Sequence, residues 1–157
     1  MRKIIVFVLG CLMLILSLGC NSGIGSTQKM SMGGDSMAPT FTNGEKITVD
    51  SRAYGSSQPQ RGDIIAYKDE SGVVMIKRVI GLPGEQIEIK DGKVYVNGNE
   101  ITENYLNKQN STEASGTSIW KIPDKNVFVM GDNRQSSKDS RVSGSIPYDR
   151  ILGKVMK

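Results

Sequence analysis

Gln86-Ile87-Glu88-Ile89-Lys90-Asp91-Gly92-Lys93-Val94-Tyr95-Val96-Asn97 alternates apolar and polar residues on both sides of a central Asp-Gly. Alternation puts Ile87 and Ile89 on one face of a strand, and Val94 and Val96 on one face of the next. Asp91-Gly92 supplies the positive φ angles of a two-residue hairpin turn, so Glu85–Lys90 and Lys93–Asn97 are expected to pair. Working outward, short apolar runs between turn signals recur at Lys46–Asp50, Asp63–Lys68, Val73–Ile80, Val127–Met130 and Ile151–Met156. No stretch of the body sustains a 3.6-residue apolar period. The spacing therefore predicts a mostly β fold with only short helices. Residues 107–118 are polar and read as an exposed loop, and the chain has no internal repeats.

The N-terminus differs from the rest. Met1-Arg2-Lys3 precedes an apolar run from Ile4 to Leu18, and a small, polar stretch follows from Asn21. This is a charged region plus a hydrophobic region, shorter than the roughly 20 residues of a free-standing membrane span. Leu16-Ser17-Leu18-Gly19-Cys20 is similar to a bacterial lipobox with Ser17 and Leu18 in swapped order, which makes Cys20 a candidate for lipidation. An uncleaved membrane anchor and simple secretion are the alternatives. In each case Arg2 and Lys3 hold the N-terminus inside and the body is expected outside the cytoplasm, at the cell membrane. The expected organisation is a signal or anchor over 1–20, a Gly/Ser/Asn-rich tether over 21–29 and one domain over 30–157.

At 157 residues there is room for one ordinary domain. Histidine is absent, which removes a Ser-His-Asp triad, a Cys-His dyad and every His-bearing metal site. Both cysteines, Cys11 and Cys20, lie in the N-terminal segment, so the body has no thiol nucleophile, disulfide or zinc cluster. Nucleophilic chemistry is left to Ser, Thr, Lys or a carboxylate. The net charge of +4 is carried by scattered residues, which gives nucleic-acid binding little support.

Three segments carry candidate chemistry. In Gly33-Gly34-Asp35-Ser36-Met37-Ala38-Pro39-Thr40, the glycines permit close backbone approach and Pro39 biases Ala38 toward an extended conformation, so Ser36 is placed at a sharp, exposed turn. An ordinary turn uses the same residues. In Val73–Ile80, alternation puts Met75, Lys77 and Val79 on one face and Ile76, Arg78 and Ile80 on the other. An amine held among apolar side chains loses hydration and becomes a base, although a lysine snorkelling from an edge strand fits the segment as well. Met130-Gly131-Asp132-Asn133-Arg134-Gln135-Ser136-Ser137-Lys138-Asp139-Ser140-Arg141 leaves the end of an apolar strand as a dense polar block. It lacks the third oxygen ligand, the glycine and the closing Glu of an EF-hand. Gly23-Ile24-Gly25 lacks the third glycine of a dinucleotide fingerprint, and Arg61-Gly62-Asp63 is too short to count as an adhesion signal.

Together these segments resemble the bacterial type I signal peptidases, Ser-Lys proteases of the S26 type. Four blocks match in order: Gly34–Thr40, Arg61-Gly62-Asp63-Ile64-Ile65, Ile76–Gly84 and Gly131–Arg141. The resemblance implies a coiled antiparallel β-sheet domain whose accessory part is reduced to the Asp91-Gly92 hairpin and the polar loop. It implies Ser36 as nucleophile, Lys77 as general base and Ser137 as the residue that hydrogen-bonds and orients the lysine amine. Arg78 with Asp132, and Asp139 with Arg141, are implied as structural ion pairs. The family's oxyanion serine is Gly34 here, so stabilisation is expected from backbone N–H groups, those of Gly34 and Ser36 included. Met37, Phe41, Met75 and Ile76 are expected near the substrate pockets. The implied substrates are exported preproteins with small residues one and three positions before the cut, met at a membrane lipid surface, with no metal, cofactor or nucleic acid. Three rivals are less favoured: a conjugation-type pilin peptidase of the same superfamily, which would share the dyad and differ in substrate; a self-cleaving SOS-type repressor, against which the N-terminal signal and the Gly131–Arg141 block argue; and a catalytically silent lipoprotein serving as a binding module, against which the presence of Ser36, Lys77 and Ser137 argues.

Overall fold

The computed structural model describes residues 27–106, 112 and 117–156. The signal or anchor segment, Cys20 and most of the polar loop lie outside the described residues. Among the described residues eleven strands form two antiparallel sheets. The larger contains β1 (Thr27–Ser31), β2 (Lys46–Asp50), β3 (Ile64–Lys68), β4 (Val74–Gly81), β9 (Asn126–Met130), β10 (Ile146–Pro147) and β11 (Ile151–Met156), in the order β1-β2-β11-β3-β4-β9-β10. The smaller contains β5 (Gln86–Lys90), β6 (Lys93–Val96), β7 (Asn99–Glu100) and β8 (Ser118–Lys121), in the order β7-β6-β5-β8. The only α-helix among the described residues, α1, is one turn at Ser140–Ser143, with 3-10 turns at Arg134–Ser136 and Tyr148–Arg150.

The Asp-Gly hairpin forms as its residues dictate. Ile87 pairs with Val96 and Ile89 with Val94, while Asp91 and Gly92 take φ of 51° and 74°. The accessory part is nevertheless a sheet of four strands rather than a hairpin. A second two-residue turn, Asn97-Gly98 with φ of 50° and 80°, folds β7 against β6. On the other side β8 pairs with β5, setting Trp120 opposite Ile87. Strand β8 starts at Ser118, the last residue of the expected loop. At the N-terminal end β1 takes in Thr27 to Lys29, which the composition assigns to the tether. Its sequence is polar and exposed, as suits a strand that among the described residues lies at the sheet edge and pairs with β2 alone.

Three apolar clusters share the central strands. Val79 packs with Ile65, Tyr67, Val127 and Val129; Ile80 packs with Ile87, Phe128 and Met130; Ile76 packs with Met32, Met37 and Phe41. Alternation along β4 and β9 thus feeds cores on both faces, so these strands read as nearly unbroken apolar runs. The Trp120 and Phe128 rings, 5.2 Å apart, join the small sheet to the large one.

Candidate active site

Ser36 begins a tight turn through Thr40 in which the Ala38–Pro39 peptide is cis. Gly34, at φ 78°, donates its N–H to Asn43 Oδ1 at 2.9 Å, and Asp35 Oδ1 accepts from the Asn43 N–H at 3.2 Å. The approach to the serine is therefore pinned from the side. The Gly34 N–H is engaged in that bond and leaves no donor for an oxyanion, a correction to its expected role. The Ser36 N–H makes no hydrogen bond among the described residues.

Lys77 does not snorkel. It is 1% exposed, and its Nζ donates to Ser36 Oγ at 2.9 Å and to the Ile76 carbonyl at 3.0 Å. Burial pushes its pKa down to about 8, against the pull of the Asp139 and Asp132 carboxylates. A hydroxyl beside an amine that loses its proton this readily is an arrangement able to serve as nucleophile and base.

The polar block after β9 supports this pair from behind. Gly131 lies so close to Ser36 that a Cβ there would stand 2.4 Å from the Ser36 carbonyl oxygen, and Asn133 donates its N–H to that oxygen at 3.1 Å. Asp139 accepts from the Gly131 N–H at 3.0 Å and binds Arg141 through both oxygens at 2.8 and 2.9 Å. Burial alone would raise the Asp139 pKa. Arg141, the Gly131 N–H and the nearby Ser137 hydroxyl outweigh it and hold the carboxyl below its usual range. Arg78 binds Asp132 through both oxygens at 2.8 and 2.6 Å, donates to the Gly62 carbonyl and lies 4.0 Å from the centre of the Tyr105 ring. Both expected ion pairs are formed.

One expectation needs correction. The hydrogen bond from Ser137 to the Lys77 amine is absent: Ser137 Oγ is buried with no well-directed partner, packed against Gly131. Met37 and Phe41 are 0% and 3% exposed and pack with Met32 and Ile76, two walls of the groove, from the core side. The groove that holds Ser36 and Lys77 has a volume of about 280 Å³ and is walled by Met30, Met32, Gly33, Val74, Met75 and Ile76. Met75 and Ile76 are thus placed as expected. Met30, Met32 and Val74 went unread because nothing in a single strand says which neighbour it will face.

A further group was not legible at all. Arg134 is buried, bound to the Gly131 carbonyl at 3.0 Å, to both Glu103 carboxylate oxygens and to Thr112 Oγ1. Its partner lies 31 residues away, so no local signal announces the pair. This bridge ties the segment that follows β7 to the loop behind the serine.

A family model described as signal peptidase, peptidase S26, matches residues 2–157. Signal peptidase I V of Bacillus subtilis (strain 168) is 35% identical over 164 residues, covering 98% of this chain and 96% of the relative. Signal peptidase IB of Staphylococcus aureus (strain Mu50 / ATCC 700699) is 35% identical over 137 residues, 78% of this chain and 72% of the relative. The crystal structure of a signal peptidase I from Enterococcus faecalis V583 superposes with a TM-score of 0.56 at 34% identity, covering 64% of this chain and 98% of that one.

Proposed function

The chain belongs to the signal peptidase family, peptidase S26, and on that footing we propose that Ser36 and Lys77 are the nucleophile and general base with which it cleaves. It is a serine endopeptidase of the signal peptidase I type, whose substrates are exported preproteins. The observation that carries the assignment of residues is the 2.9 Å contact between Lys77 Nζ and Ser36 Oγ in an open groove. Neutral Lys77 takes the serine proton as Oγ attacks the scissile carbonyl. The Ser36 N–H donates to the developing oxyanion. Lys77 then hands its proton to the leaving amine and activates the water that hydrolyses the acyl-enzyme. Asp132, Asp139, Arg78 and Arg141 hold the strand and the loop, and Ser137 fills the space beside Gly131.

The substrate enters as an extended strand. Residues 74–77 of β4 are paired with β3 on one side, while β9 occupies the other side only from Arg78 onward. A peptide laid on that open edge places alternate side chains against Ile76, Met32 and Val74, which supports small residues one and three positions before the cut. No helix among the described residues is long and apolar enough to cross a membrane. Attachment is assigned to Ile4–Leu18, as an anchor or through lipid on Cys20, with the body outside the cytoplasm as Arg2 and Lys3 favour.

The full chain in detergent, given a preprotein with an Ala-x-Ala site, is expected to cut after the second Ala, as located by mass spectrometry. Replacing that Ala by Leu should abolish the cut. A folded chain that cuts neither substrate would favour a specialised pilin peptidase or a binding module. Because Lys77 must be neutral, kcat/KM should rise roughly tenfold per pH unit below about 8 and level off above it. A profile flat from pH 6 to 10 would remove Lys77 as the base.

A further inference from the structure

Glu103 and Tyr105 follow β7 and do not line the groove, but two chains of contact run from them to the two members of the dyad. The first runs to the serine. Glu103 Oε2 accepts from Arg134 Nη1 at 3.0 Å, and Glu103 Oε1 accepts from Arg134 Nη2 at 2.5 Å. Arg134 Nε in turn donates to the Gly131 carbonyl at 3.0 Å, and Gly131 packs against the Ser36 carbonyl. The second runs to the lysine. The Tyr105 hydroxyl donates to the same Glu103 Oε1 at 2.6 Å, and the Tyr105 ring lies 4.0 Å from the guanidinium of Arg78, the residue after Lys77. Both chains start at one carboxylate.

That carboxylate also completes a balance of charge behind the base. Among the described residues three guanidiniums there face three carboxylates: Arg78 with Asp132, Arg141 with Asp139, and Arg134 with Glu103. Lys77 has the Ser36 hydroxyl before it and Ile65 opposite it on β3, and the Asp139 and Asp132 carboxylates favour its charged form. Tyr67 on β3 and Tyr105 keep their protons, because burial, helped by nearby carboxylates, pushes both phenols above their usual range. Asp132 also acts on Arg134, whose side chain is 0% exposed, so water does not screen that charge. With Glu103 neutral, the field of Arg134 falls on Asp132 and opposes a proton on Lys77.

Resting on the peptidase reading above, we infer that Glu103 is a positioning residue for the dyad: through Arg134 and Tyr105 it holds the serine turn and the lysine strand in place, and it neutralises the guanidinium that would otherwise act on the base. It does so without touching substrate.

The test follows kcat and KM of the full chain in detergent on the Ala-x-Ala preprotein from pH 6 to 10, per folded molecule, for wild type and Glu103→Gln. The variant should lose about tenfold or more in kcat on the plateau, since small displacements of reacting groups are costly. Its KM should stay within about twofold, because Glu103 lies outside the groove, and its rising limb should move down by about half a pH unit or more. Glu100→Gln takes a carboxylate from the exposed pair with Lys93 and should leave the limb in place. Should Glu103→Gln not fold, Arg134→Met leaves the carboxylate without its partner and should move the limb to higher pH. A limb that stays with wild type in whichever of these two variants folds would overturn the inference, leaving Glu103 a support of the fold and the peptidase reading intact. A wild type that cuts at no pH would overturn that reading instead, and the inference with it.

Discussion

Ser36→Ala and Lys77→Met should each lower kcat/KM on a preprotein by at least about 10⁴-fold, with the double variant no worse than either alone. The non-additivity follows from the geometry. With Oγ gone, the Lys77 amine has no hydroxyl to deprotonate; with the amine gone, Oγ keeps its proton at neutral pH. The two variants should part company in stability. Lys77 is buried with its pKa drawn from 10.5 to about 8, so between those values the unfolded chain holds a proton that the folded chain has released. Stability therefore climbs as pH rises from about 8 to 10.5, and below that window burial of the ammonium is a standing penalty. Lys77→Met removes it and should gain up to about 3 kcal/mol at pH 7 in urea denaturation. Ser36→Ala should change stability by less than about 1 kcal/mol. A Lys77→Met chain that is inactive and less stable would mean that the amine is held by attraction rather than tolerated for its chemistry.

Asp132→Ala is expected to cost about 3–5 kcal/mol of stability, a large part of what a domain of this size has. Asp132 is 0% exposed, takes two bonds from Arg78 and one from the Thr40 hydroxyl, and so joins the serine turn to β4. Its loss strands a guanidinium between Tyr105 and the Gly62 carbonyl with no carboxylate. Thermal unfolding would show the drop as a lower Tm. Combining Asp132→Leu with Arg78→Met should recover much of it, because an apolar pair has no charge to strand. If the double variant is no more stable than Asp132→Ala, the carboxylate acts by holding Thr40 rather than by neutralising Arg78.

Some of the molecule was readable residue by residue. Asp91-Gly92 between alternating runs could hardly be anything but a hairpin, because the turn geometry belongs to those two residues. Asn97-Gly98 has the same chemistry, but Asn99–Glu100 is too short and polar to announce β7. Met37 and Phe41 were legible as apolar and not as buried behind the groove, because facing depends on which layer closes over them. Ser137 shows the limit of a matched motif. Its motif position is matched, but its hydroxyl is buried beside Gly131 and makes no hydrogen bond to the amine.

By itself the sequence determined the chemistry available: with no histidine and no thiol in the body, Ser, Thr, Lys or a carboxylate were left, and the four blocks whose order marks the family pointed among these to Ser36 and Lys77. Strand periodicity and turn residues are local properties, so the β character and the central hairpin came with it. Only the tertiary structure decided that Lys77 is buried and meets Ser36 across 41 residues of chain, and that Arg134 finds Glu103. Desolvation, the cause of the lowered pKa, is the work of neighbours supplied by other strands, and no reading of Lys77 within its own strand contains them.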